Sequence, residues 1–134
     1  MSVLVQHLRI SAVALALLTG ACGSTEPAAF GENTEVANVA DNFQYQTSNV
    51  QRGTTVLTYT WRNTGTRASI NQATTLTAGT LTLRVQDASG AEVYSRSLAE
   101  NGTFQTTTGT AGDWTITLTA QAYSGTVNFR AQRL

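Results

Sequence analysis

Apolar and polar residues alternate with period two along most of this chain from about residue 36 onward. In TTVLTYTWRN, Leu57, Tyr59 and Trp61 fall on one side while Thr58, Thr60 and Arg62 fall on the other. In TLTLRVQ the apolar set is Leu81, Leu83 and Val85, and in WTITLTA it is Trp114, Ile116, Leu118 and Ala120. TVNFRA adds Val127, Phe129 and Ala131. Successive side chains of a strand point to opposite faces, so each run predicts a strand with one buried and one wet face. Weaker strands are predicted near 39–47, 68–76, 91–98 and 103–108. The segments RNTGT, DASGA, ENGT, GTAGD and YSGT supply the Asn, Asp and Gly that tight turns need. No stretch after Cys22 keeps an i, i+3, i+4 apolar stripe for several turns. The expected fold is all-β: an antiparallel two-sheet sandwich, jelly-roll or immunoglobulin-like, of about eight short strands.

The first residues break this pattern. MSVLVQHLR carries Arg9, ISAVALALL is uninterruptedly apolar, and small residues then lead into Cys22. A charged start, an apolar run of this length and a small-residue end make an export signal helix. The run is too short to cross a bilayer as a settled helix, which takes ~20 apolar residues. From Gly23 to Glu35 the sequence GSTEPAAFGENTE holds the single proline and reads as linker. The expected division is a signal peptide over 1–21, a lipid-bearing N-terminus and flexible linker over 22–35, and the sandwich over 36–134.

The end of the signal, Leu18, Thr19, Gly20, Ala21 and Cys22, resembles the lipobox of bacterial lipoproteins. The resemblance implies cleavage before Cys22, a diacylglycerol on its sulfur and an acyl group on its new amino terminus. One acyl chain holds a membrane marginally, whereas several hold stably. Gly23 and Ser24 follow without an aspartate, which in members of this class with two membranes implies the outer membrane. Thr19 and Ala21 would also suit ordinary signal cleavage, which would leave a free thiol.

The stretch Gly79 to Arg130 resembles the pre-peptidase C-terminal type of β-sandwich found in secreted bacterial proteins. The resemblance rests on LTLRVQDASGAEVYS with its Asp-x-x-Gly turn at Asp87–Gly90, on GTAGDWTITLTA, and on YSGTVNFRA as a closing hairpin. It implies an accessory module. Calcium-binding relatives place acids in the strand before that turn, where this chain has Thr80, Thr82 and Arg84. The departure argues against a calcium site.

Composition narrows the chemistry further. Eight Arg balance eight acids with no Lys, so the net charge is zero and no basic patch is available for nucleic acid. The single cysteine is Cys22 and the single histidine, His7, would leave with the signal. Histidine triads, Cys–His dyads and zinc sites therefore lack their usual groups, and no cofactor or metal is expected. Asp41, Asp87, Glu92, Glu100 and Asp113 are the carboxylates expected in the folded part, with Asp87 and Asp113 at turn positions. Trp61 and Trp114 are in phase with apolar neighbours and read as core. Tyr94, out of phase with Val93, and Tyr123, in a turn segment, are the candidate ligand contacts. The functional expectation is a non-enzymatic, lipid-anchored envelope protein acting as a binding or assembly module. Its partners would be the membrane, through Cys22, and another envelope protein or a polysaccharide. A structural component assembling through strand edges and a carboxylate-based hydrolase are the alternatives.

Overall fold

The computed structural model describes residues 30–134. The segment expected to be a signal peptide, Cys22, and the part of the expected linker up to residue 29 lie outside the described residues. Strand β1 spans Glu32–Val39, β2 Asn42–Asn63, β3 Ala68–Gln72, β4 Thr75–Gln86, β5 Glu92–Ser97, β6 Gly102–Gln105 and β7 Gly112–Arg133. All pair antiparallel in one sheet that does not close into a barrel.

The two longest strands, β2 and β7, run side by side and fold the sheet over on itself. Their first and last parts pair with different neighbours. The start of β2 and the end of β7 lie between β1 and β3, with β6 beyond β3. The end of β2 pairs with the start of β7, which is flanked on its other side by β4 and then β5. The layers are thus β1-β2-β7-β3-β6 and β2-β7-β4-β5. Phe43 in the first half of β2 packs on Tyr59 in the second, with ring centroids 5.3 Å apart.

The fold-over is written in backbone irregularities. In β2 the inward residues are Phe43, Tyr45 and Thr47, then Val50, then the odd series from Leu57 to Asn63. Asn49 (φ 50°) and Arg52 (φ 48°) take left-handed backbone where the parity changes. In β7 the inward series runs Trp114, Ile116, Leu118, Ala120 and then Tyr123, Val127, Phe129, Ala131, with Ala122 at φ 45° between. Left-handed backbone is costly for residues with a Cβ and persists where neighbours hold it. Each bend braces the other: the Arg52 amide donates to Ser124 Oγ (3.0 Å) and the Ala122 amide to Thr54 Oγ1 (2.9 Å).

The core contains every apolar position that the alternation selected, with Leu57 and Tyr59 half-buried at its margin. Four expectations are corrected. There are seven strands among the described residues where about eight were expected, because 39–47 with 54–63 and WTITLTA with TVNFRA each belong to one bent strand, while β1 is added. YSGT is no hairpin turn: β7 continues through it, so the closing hairpin does not exist. The single segment expected near 68–76 is instead β3 and the start of β4, separated at Ala73 and Thr74. The sandwich also starts earlier than residue 36. β1 begins at Glu32, and Phe30 already stacks on Tyr123 with centroids 6.0 Å apart.

Candidate functional site

The bend and the pairing give the sandwich two outer faces of different chemistry. On the β2-β7-β4-β5 layer the register aligns Val56, Thr119, Thr82 and Ser97 in one row. The next rows are Thr58, Thr117, Arg84, Ser95 and then Thr60, Thr115, Gln86, Glu92. This face is predominantly hydroxyl. Its charges are held in pairs, Arg84 with Glu92 at 2.7 Å and Arg62 with Asp113 at 3.5 Å.

The opposite layer carries amides. Gln44 stands beside Arg130, and Arg130 beside Asn71; Asn42 stands beside Gln132, and Gln132 beside Ser69. These amides bond to charged neighbours on the same face: Arg130 donates to Gln44 Oε1 (3.1 Å), and Gln46 donates to Glu35 (2.8 Å). A depression of about 200 Å³ indents its lower margin, lined by Asn33, Gln46, Thr47, Ser48, Thr126, Val127 and Asn128. It is smaller than the ~300–1,000 Å³ typical of ligand pockets. The amide face had no sequence signal of its own, because its residues come from strands far apart in the chain that only long-range pairing brings together.

The predicted site residues are distributed differently from expectation. Tyr94 and Tyr123 are buried, so neither presents a ligand-contacting surface. Tyr94 lies opposite Val85 and therefore points into the core. Its hydroxyl donates to Gln72 Oε1, while Gln72 Nε2 donates to the carbonyls of Ser97 (3.1 Å) and Glu100 (2.6 Å). The phase argument failed because Val93 is buried too, under Gly109, where an added Cβ would come within 2.9 Å of the valine. Tyr123 points inward through the bend at Ala122, and its hydroxyl donates to the Thr75 carbonyl at 2.7 Å. Cys22 lies outside the described residues.

The five carboxylates expected in the folded part are dispersed, each with its own structural partner. Asp87 Oδ1 accepts from the Ser89 hydroxyl (2.7 Å) and from the amides of Ala91 (2.9 Å) and Ser89 (3.0 Å). Its Oδ2 accepts from the Thr110 amide at 2.8 Å. These bonds, the Ser89 hydroxyl foremost and Thr110 next, hold its pKa down to about 2 against the opposing effect of burial. Asp41 caps the turn at Thr64, accepting from its amide (2.7 Å) and hydroxyl, and its pKa is lowered chiefly by that amide. Glu100 pairs with Arg96 at 2.7 Å. Among the described residues, no group of three or more His, Cys, Asp or Glu side chains is placed to hold a metal ion.

The remaining feature is an edge. The second half of β2 pairs with β7 on one side and, among the described residues, with no strand on the other. Val56, on this stretch, is 63% exposed. No family model matches the chain, and no curated protein matches it. The structure defines an antiparallel, sandwich-like β domain with segregated hydroxyl and amide faces.

Proposed function

We propose that this chain is a non-enzymatic, lipid-anchored envelope protein whose sandwich serves as a binding or assembly module. The observation that carries the non-enzymatic half is the separate commitment of the carboxylates. Asp41 caps a turn, Asp87 closes another, and Glu92, Glu100 and Asp113 each pair with a different arginine. Carboxylate-based hydrolysis places two such groups on either side of the scissile bond, about 5–10 Å apart. Two broad faces rich in hydroxyls and amides, and an open strand edge, favour contact with another macromolecule.

The anchoring half rests on the signal-like sequence ending at Cys22. Seven residues separate Cys22 from Phe30, which already packs on the body. Even fully extended, that stretch reaches at most about 28 Å. An anchored sandwich would therefore stay close to the lipid surface with the β1 start and the two bends turned toward it. The test is fractionation of cells producing the chain or its Cys22→Ser variant. The unaltered protein should sediment with membranes and the variant should appear soluble or unprocessed. Equal partitioning of both would refute the anchor.

A further inference from the structure

The open edge of β2 can be read at the level of single backbone groups. The Arg62 carbonyl accepts from the Asp41 amide (2.8 Å) and the Thr60 carbonyl from Asn38 Nδ2 (2.9 Å). Both partners lie on the side away from β7. Backbone groups of an antiparallel strand alternate between its two sides, so Thr54, Val56 and Thr58 also turn their N–H and C=O groups away from β7. Among the described residues, this edge is covered only at its upper end, by Asn38 and Val39 of β1 and by Asp41 in the turn that follows it. Near the lower end Phe30 lies against Gly53.

The uncovered stretch lacks the usual protection. Edge strands are ordinarily blunted by charge, proline or a bulge. From Gly53 to Trp61 there is no charged residue and no proline, and the register with β7 is regular from Thr55 onward. Leu57 and Tyr59 are half-buried beside it, and Val36 on the facing edge is 43% exposed.

We propose that Thr54–Thr58 of β2 is a self-association edge, which pairs antiparallel with the same stretch of a second copy about a two-fold axis through Val56. The sequence argues for a copy of this chain over another partner. Read in both directions from Val56, the outward positions are threonine on each side, so Thr54 meets Thr58, Val56 meets Val56, and Thr58 meets Thr54. Each such pair exchanges N–H···O=C bonds, and the exposed valines cover each other. No charge is buried and no like charges meet. The inward Leu57 meets Thr55 of the other copy. The two hydroxyl faces then join into one continuous sheet surface. A contact of this length falls well below the ~1,200 Å² of a stable soluble dimer, so association is weak in solution and strengthened by confinement to a membrane.

The proposal rests on the assembly reading of the function above, and its test measures pairing separately from anchoring. Val56→Cys and Thr80→Cys variants of the full chain are oxidised mildly in membranes; Thr80 is also exposed but lies on β4, away from the edge. Val56→Cys should form a disulfide dimer at least ten-fold faster than Thr80→Cys. Equal rates would overturn the proposal. The unaltered chain is the blank: dimer in it reports a free Cys22 thiol and counts against the anchor, while the difference between the two variants still decides the edge. Adding Thr58→Pro to Val56→Cys removes a donor that faces away from β7 and so spares the ladder within the chain. It should lower the cross-linking rate at least ten-fold with little change in Tm. An undiminished rate would show that strand pairing is not the contact, whether the chain meets itself or another protein there.

Discussion

Trp61 and Trp114 stand directly opposite each other on β2 and β7, their rings edge to face with centroids 5.9 Å apart and planes at 84°. Each indole N–H is used: Trp61 donates to the Val39 carbonyl at 3.1 Å and Trp114 to Thr110 at 2.8 Å. One ring thus ties down the end of β1, and the other the loop before β7. Edge-to-face pairs add to the stabilisation from burial alone. Trp114→Ala should lower unfolding free energy by about 3–5 kcal/mol, as for other large buried aromatics. Urea titration measures it, and a loss below about 1 kcal/mol would mean the ring is not a core anchor.

Acid should loosen the Asp87 turn. The folded carboxyl titrates at about 2, below its ordinary 3.8, so its contribution is full above the ordinary value and disappears as pH falls through about 2. Melting temperatures followed from pH 5 to about 2 should fall in the native chain. Asp87→Asn should melt lower at neutral pH and show a shallower fall over the same range. Parallel curves for the two proteins would remove Asp87 from the account.

The same turn predicts indifference to calcium. Calcium takes about six to eight oxygens, with carboxylates among them, and both Asp87 oxygens are already held by turn donors. The melting temperature in chelator and in millimolar calcium should coincide. A rise of several degrees that Asp87→Asn abolishes would show a cation displacing those donors.

Base should act through the buried tyrosines. Burial pushes Tyr94 and Tyr123 up to about 12 from an ordinary 10. The unfolded chain loses these protons first, so stability should fall as pH rises from about 10 to 12. Tyr94→Phe leaves the buried Gln72 Oε1 without its donor and should cost about 1–3 kcal/mol at neutral pH. Phenolate absorbance rising near pH 10 in the folded protein would place these rings in water.

The alternation identified the inward sets of β4, of the second half of β2 and of both straight parts of β7, because each such position faces one core. It could not reveal that β2 and β7 are single bent strands. The bends sit at Asn49, Arg52 and Ala122, where side chains with a Cβ adopt left-handed backbone through tertiary hydrogen bonds. Gly125 reinforced the error: it looks like a turn glycine, yet it is there because a Cβ would meet the Thr75 carbonyl at 1.9 Å. β1 was missed because ENTEVANV buries nothing fully and adheres through Thr34 to Thr47 (2.8 Å) and Asn38 to Thr60. The open edge was invisible for a simpler reason. Which strand lies outermost depends on long-range pairing, and Val56 looks the same in a central strand.

The central claim is that this sandwich is held at a membrane by lipid on Cys22, and the intact mass of the mature protein tests it most directly. A chain beginning at Cys22 and carrying the added mass of a diacylglycerol and a further acyl group is the predicted result. A chain that begins at Cys22 without acyl mass, or at any other residue, would contradict it.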